Sequence, residues 1–311
     1  MSSQPDVRAV IGSVHLPNPI MTASGTAGHG AELGAYVDLA GLGAIVVKSL
    51  HAAPYAGNPS PRLHETPAGM LNSVGLQGPG VEAWLEHDLP PLRATGARIV
   101  ASIWGFTVED YAKAAIMLAD APAQVVAVEV NLSCPNVEDR RHVFAHSPAA
   151  TADAVFATEA AGRPRWAKLS PNVTDITEIA GAALGAGAEA LTLVNTVMGM
   201  AIDPETRRPH LGSGARGGGL SGPSIHPVAV RAVYECRAAF PAVPIVGVGG
   251  VAGGEDAVEM MMAGANAVQV GTATFTEPRA CARVLAELNR WMAVHDVACL
   301  TELIGAAHAP H

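Results

Sequence analysis

The sequence predicts an α/β fold: a (β/α)8 TIM barrel with an N-terminal hairpin and long loops over its C-terminal face. Alternation is the first reason. Short aliphatic runs lie at 18–24, 44–49, 98–104, 125–131, 165–170, 190–195, 244–250 and 267–272. Helical patterns separate most of them, as at 108–119, 174–184, 226–239 and 254–263. Eight strands alternating with helices is the count of a closed parallel barrel. Internal similarity is the second reason. AGLGAIVVKS, GAGAEALTLVNT and MAGANAVQVGTA each read as a Gly-capped helix end, a tight turn and a strand apolar on both faces. Third, no run resembles a charge-protected edge strand, which favours closure over a doubly wound open sheet.

Ahead of the first strand, VRAVIGSVHL reads as a hairpin closing the bottom of the barrel. Two connections are long, about 50–85 and about 197–224, and loops of that length are usually lids or binding loops. No linker or low-complexity stretch divides the chain, so residues 1–311 are expected to form a single domain.

Composition narrows the function. Of 311 residues, 49% are hydrophobic and 15% charged, which suggests a large core and a buried interface in a homo-oligomeric assembly. A net charge of −9 with no basic run argues against a nucleic-acid partner. MSSQPDVRAV lacks the charged-then-apolar pattern of a signal peptide, and no uninterrupted apolar run is long enough to span a membrane. A cytoplasmic location is the expectation. Cys134, Cys236, Cys281 and Cys299 form no C-x-x-C pair, which argues against structural zinc or an iron–sulfur cluster held by this chain. A reducing compartment argues against disulfides.

Barrel active sites lie at the C-terminal ends of the strands. The predicted strand ends carry Ser24, Lys48, Ser102, Asn131, Lys168, Asn195, Gly249-Gly250 and Gly271-Thr272. Lysines ending apolar strands are unusual; they either serve a site or bridge carboxylates at the barrel mouth. GVGG after the seventh strand and GT after the eighth fit a barrel phosphate site, where bare N–H groups cradle an anion; the alternative is plain tight turns. GSGARG (212–217) matches G-x-G-x-x-G but neither follows a strand nor opens a long helix, so it reads as flexible loop.

The segment NLSCPN places the thiol of Cys134 just beyond VVAVEV. An inert thiol, a metal ligand, half of a disulfide and a catalytic base are all open. The lack of a nearby cysteine weighs against the metal and disulfide readings, and the position past a strand end weighs against an inert one.

Over roughly residues 8–275 the chain resembles class 1 dihydroorotate dehydrogenases. The resemblance is carried by NPIMTASG, VVKS, NSVGLQGPGVE, VNLSCPN, AKLSPNVTDI, LVNT, GGLSGPSIHPVA, VGVGGV and AVQVGTA. NSVGLQ and the length are most similar to B-type catalytic subunits, which pair with an FAD and iron–sulfur electron-transfer subunit and pass electrons to NAD. The resemblance implies an FMN-binding barrel that oxidises dihydroorotate to orotate in pyrimidine synthesis, with hydride leaving C6 for flavin N5. It implies an FMN site at Ser24, Lys48, Ser49, Ser102, Asn131, Lys168, Val194, Gly222, Gly249, Gly250, Gly271 and Thr272. It further implies a substrate site at Lys48, Asn72, Ser73, Val74, Gly75, Leu76, Asn131, Asn195 and Thr196, and Cys134 as the base that takes the C5 proton. Amides suit orotate because they donate and accept at once, and Lys48 or Lys168 could stabilise charge on a reduced flavin.

Three positions depart from the family pattern. Gly78 stands where a second asparagine is usual, Arg140, Arg141 and His142 replace a Gly-rich stretch, and Ser102 stands where asparagine is common. These departures keep open a related flavin barrel acting on another dihydropyrimidine or cyclic amide. A tRNA dihydrouridine synthase is disfavoured by the acidic charge, and a non-catalytic barrel subunit by the retained Cys134 and lysines.

Overall fold

The structure, a computed structural model, describes residues 5–133, 144–214 and 217–309. The chain opens with a hairpin of β1 (Ala9–Ile11) and β2 (Val14–Leu16), paired antiparallel with Ala9 opposite Leu16. Ser13 N–H donates to Glu189 Oε2 at 2.8 Å, which fastens the hairpin beneath the N-terminal end of a barrel strand. The predicted bottom cap is therefore present.

Next come β3 (Ile20–Thr22), β4 (Ile45–Val46), β5 (Leu63–Thr66) and β6 (Gly69–Asn72). A short helical stretch follows, from α1 (Val81–Ala83) to α2 (Leu89–Ala94). The middle of the chain alternates β7 (Ile99–Ile103), α3 (Val108–Leu118), β8 (Val125–Asn131), α4 (Pro148–Ala157), β9 (Arg165–Leu169), α5 (Ile176–Gly185) and β10 (Ala190–Leu193). Four short strands interrupt it: β11 (Val197–Gly199), β12 (Ile202–Asp203), β13 (Arg208–Pro209) and β14 (Gly218–Ser221). The chain then runs through α6 (His226–Ala239), β15 (Ile245–Val248), α7 (Gly254–Ala263), β16 (Ala267–Val270), α8 (Ala273–Thr276) and α9 (Ala280–Val294).

Eight strands form one parallel sheet in the order β3-β16-β15-β10-β9-β8-β7-β4. A parallel bridge between Met21 and Ala44 joins its two ends, so the sheet closes into the predicted barrel. Ile and Val fill these strands because both faces are covered, one by the helices and one by the lumen. In β7 every residue is buried. Local signals set the helix starts. Thr107 caps α3 by accepting from Asp110 N at 3.2 Å, and the Asp110 carboxylate accepts in return from Thr107 N at 3.1 Å. Among the described residues no helix is long and apolar enough to cross a membrane.

The two long connections are more than loops. They pair with one another in a four-stranded antiparallel sheet, β11-β14-β6-β5, with Asn72 opposite Gly219. Their strands read GMLN, LHET and GGLS, which lack the apolar alternation that marks a half-buried strand in sequence. LHET and GMLN pair locally as a hairpin, and GGLS joins them by pairing across about 150 residues of chain.

Candidate active site

Parallel strands deliver their last residues to one mouth, and here those residues are joined by hydrogen bonds. The hydroxyls of Ser24 and Ser49 lie 3.0 Å apart, and those of Ser49 and Ser102 2.9 Å apart. Asn131 Nδ2 donates to Ser49 Oγ at 3.1 Å, and Asn195 Nδ2 donates to Asn131 Oδ1 at 3.3 Å. One chain of polar groups thus links the ends of β3, β4, β7, β8 and β10. Its centre, Asn131, is further fixed by Tyr111, whose hydroxyl donates to the Asn131 carbonyl at 2.7 Å.

The two strand-end lysines differ. Lys168 pairs with a carboxylate: its Nζ lies 3.3 Å from Glu129 Oε1 and 3.3 Å from Gln269 Oε1. Lys168 therefore does bridge to a carboxylate. Lys48 has no carboxylate partner among the described residues, and burial, aided by the charge of Arg62, pushes its amine below the ordinary lysine value. It faces a cavity of about 530 Å³ whose walls include His29, Tyr55, Gln77, Gly78 and Asp88. Burial, and then the charge of Lys48, also lower His29. The space left by Gly78 is occupied in part: a Cβ there would lie 3.3 Å from His29 Nε2.

Beside this cluster the glycines of three segments meet. Gly250 has φ +72°, and a Cβ on it would lie 2.6 Å from His226 Cβ and 2.9 Å from the Gly222 carbonyl oxygen. Gly222 has φ +97°, and a Cβ on it would lie 2.7 Å from Gly69 Cα. Both the dihedral and the space demand glycine. The turn leads through Pro223–Ile225 into α6. His226 Nδ1 donates to the Gly249 carbonyl at 2.9 Å. Thr272, following Gly271, donates from Oγ1 to Ser221 Oγ at 2.8 Å, tying the eighth strand end to the same place. Val194, 2% exposed, packs between the two regions, its N–H donating to the Val248 carbonyl at 2.7 Å.

A sequence profile described as dihydroorotate dehydrogenase matches residues 8–292. The chain belongs to the dihydroorotate dehydrogenase family. It is 50% identical over 299 residues to a protein of Desulforudis audaxviator, covering 96% of each chain. It is 48% identical over 304 residues to one of Trichlorobacter lovleyi, covering 97% of this chain and 99% of the other. A protein of Geobacter sulfurreducens is 47% identical over 304 residues, with 97% and 98% covered. All three are named dihydroorotate dehydrogenase B (NAD(+)), catalytic subunit.

In this dihydroorotate dehydrogenase family member, the remaining candidates fall in two groups. Asn72 and Thr196 meet at Gly219: Asn72 Nδ2 donates to the Gly219 carbonyl at 3.3 Å, and Thr196 Oγ1 packs against the Gly219 Cα. Ser73, Val74, Gly75 and Leu76 lie on an arm held by Asn58, which donates to the carbonyls of Ser73 at 2.9 Å and Val74 at 3.1 Å. Among the described residues no hydrogen bond joins that arm to the strand-end network. Leu76 sits at φ +62°, a left-handed conformation that strains a non-glycine residue. Cys134 and Arg140 to His142 lie outside the described residues, as do Ala215 and Arg216 of GSGARG.

Three residues of this site were missed in the sequence. Asn172 donates from Nδ2 to the Thr196 carbonyl at 2.9 Å and accepts from Met198 N–H at 2.9 Å, clamping the segment after β10. Its signal was an amide just past a strand end, as at Asn131. Glu129 and Gln269 were hidden inside apolar runs, where a lone polar residue was itself the signal.

Proposed function

We propose that this chain is the catalytic subunit of an FMN-dependent dihydroorotate dehydrogenase of the B type, oxidising dihydroorotate to orotate for pyrimidine synthesis. The carrying observation is the joined set of Ser24, Ser49, Ser102, Asn131 and Asn195 beside Lys48 at the barrel mouth. Residues 1–311 act as a single FMN-binding domain in the cytoplasm, in a homo-oligomeric core. An FAD and iron–sulfur partner subunit passes electrons to NAD, in keeping with the names of the relatives.

The residues present suit FMN. Gly222, Gly249, Gly250, Gly271 and Thr272 would offer a bare-backbone cradle, and at Gly250 and Gly222 a Cβ would strike neighbouring protein atoms, so the backbone there stays bare. Ser24, Ser49, Ser102, Asn131, Lys168 and Val194 would line the ring. The bound flavin supplies a two-electron acceptor.

The chain's own residues do the rest. Asn72, Asn131, Asn195 and Thr196 orient a flat ring of carbonyls and N–H groups, and reject analogues that leave these amides unpaired. Ser73 to Leu76 form the arm over it. Lys48, with no carboxylate partner among the described residues, would face the substrate's carboxylate. Cys134 would take the C5 proton as thiolate.

The deciding experiment is anaerobic addition of dihydroorotate to the FMN-loaded protein. Loss of the flavin's visible absorbance is expected. No loss with dihydroorotate, together with loss on adding another dihydropyrimidine or a cyclic amide, moves the assignment to that substrate. Gly78 is the observation that favours this second reading, because His29 rather than an amide fills the space beside it.

Two variants test the parts. Gly250→Ala is expected to weaken FMN binding at least about tenfold, because its Cβ would collide with His226 and the Gly222 carbonyl. Titration of the apoprotein with FMN measures it. Lys48→Met is expected to lower kcat/KM about 100-fold by removing the cation opposite the substrate carboxylate. The same change is expected to raise Tm, because burial disfavours the Lys48 cation. The sign follows from linkage: a lysine lowered on folding costs stability below its folded pKa. That cost fades as pH rises through the folded value toward the ordinary one. The gain in Tm from Lys48→Met is therefore largest at neutral pH and shrinks in alkaline buffer.

A further inference from the structure

Inside the barrel, directly beneath the mouth, Lys168 belongs to an ionic group whose other two members, Glu129 and Gln269, have no role in the scheme above. Glu129 is fully buried and Lys168 is 4% exposed. Lys168 Nζ donates to Glu129 Oε1 and to Gln269 Oε1, each at 3.3 Å, and Gln269 Nε2 donates to Glu129 Oε2 at 2.7 Å. The Gln269 amide has one orientation that satisfies both neighbours, its oxygen toward the ammonium and its nitrogen toward the carboxylate. The three side chains come from β9, β8 and β16, and β16 lies opposite β8 in the ring of strands. Gln269 therefore reaches across the lumen to close the group.

Stability does not explain this arrangement. A buried ion pair costs desolvation that its attraction barely returns, and apolar residues of similar volume are often as stable or more so. Apolar side chains could have filled this layer as they fill most of the barrel core. The location does offer an explanation. Glu129 sits two residues before Asn131 on β8, and Asn131 is in register with Lys168. The carboxylate is thus on the same inward face, one layer below the strand-end network. The ammonium has two acceptors among the described residues, which leaves a third N–H for a ligand above it.

We propose that Glu129 is a positioning residue, holding Lys168 at the floor of the flavin site with the help of Gln269 and attenuating the positive field that Lys168 presents there. The inference rests on the FMN reading above. Its consequence has a definite sign. Without the carboxylate, the Lys168 charge is unopposed, and any negative charge developed on the bound flavin is stabilised more, not less.

Sulfite is the probe, because it adds to oxidised flavin and leaves negative charge on the ring, bleaching its visible absorbance. Glu129→Gln keeps the shape and removes the charge. It is expected to bind sulfite about tenfold more tightly and to raise the flavin midpoint potential. Glu129→Asp keeps the charge and is expected to restore sulfite affinity toward wild type. A merely structural role would lower FMN affinity in both variants and would not tighten sulfite binding. Gln269→Glu adds acidic charge to the same cage and is expected to weaken sulfite binding. If Glu129→Gln does not fold or retain FMN, Gln269→Glu decides alone. FMN-loaded variants with unchanged sulfite affinity, or with shifts of the opposite sign, overturn this inference and leave the proposed function standing. A wild-type protein that takes up no FMN overturns the proposed function, and this inference with it.

Discussion

Cys134→Ser is expected to slow reduction of the flavin by dihydroorotate by about two to four orders of magnitude, with FMN still bound. A thiol near its ordinary pKa of about 8.5 is partly ionised at neutral pH, whereas a serine hydroxyl is not. The structure describes the chain on either side of this residue. Ser133 N–H donates to Asn131 Oδ1 at 3.2 Å, and Leu132 N–H donates to the Lys168 carbonyl at 3.2 Å. Ala145 N–H returns to the Leu132 carbonyl at 2.9 Å. The segment carrying Cys134 therefore leaves from and returns to the strand-end network. The buried thiols elsewhere are poor bases at neutral pH, because burial pushes Cys236 and Cys281 up to about 12. In single-turnover measurements, the wild-type rate is expected to climb with pH through about 8.5 and to level off only about one unit higher, as the thiolate fraction does. A flat wild-type profile between about pH 6 and about pH 8 would remove Cys134 from the role of base.

Asn131→Ala is expected to lower kcat/KM for dihydroorotate by about 100- to 1000-fold, and to destabilise the protein by about 1–3 kcal/mol. Both effects have one cause. Asn131 Oδ1 accepts from Asn195 Nδ2 and Ser133 N–H, and its Nδ2 donates to Ser49 Oγ. Alanine leaves those neighbours without their partner at the mouth of a buried network, and removes an amide that would meet both flavin and substrate. Asn131→Asp separates the two losses. It keeps Oδ1 for Asn195, so stability should largely recover, yet it places a carboxylate opposite an anionic substrate, so KM should remain high. Steady-state kinetics alongside thermal melts distinguish the outcomes. Equal recovery of stability and KM in Asn131→Asp would mean that Asn131 acts only as a spacer.

Much of the fold was legible because the barrel writes itself in local terms. Each barrel strand is an apolar run between turn residues, and α6 and α7 occupy the predicted ranges 226–239 and 254–263. The second strand is shorter than its apolar run, Ile45–Val46 against 44–49, because the ladder breaks at Lys48, whose N–H donates to the Gly28 carbonyl, and resumes only as a bridge between Leu50 and Ile103. The sheet formed by the two long connections was not legible. LHET pairs with its neighbour GMLN in a local hairpin that no apolar alternation announces, and GGLS becomes a strand only by hydrogen bonding to GMLN far back along the chain.

For the site, the strand-end rule placed Ser24, Lys48, Ser102, Asn131, Lys168 and Asn195 in advance, since every parallel strand must end at the same mouth. The requirement for glycine at Gly222 and Gly250 comes from left-handed dihedrals and close neighbours, which only the fold supplies. Sequence also determined the family, because its motifs run the length of the chain. The tertiary structure decided which polar groups pair. Nothing in VVAVEV, AKLS and AVQV says that Glu129, Lys168 and Gln269 converge, because they lie on three strands up to 140 residues apart. That convergence depends on barrel closure and on register, and both arise only when the whole sheet has formed. The same closure gives a carboxylate to Lys168, while Lys48 has none among the described residues and faces the cavity.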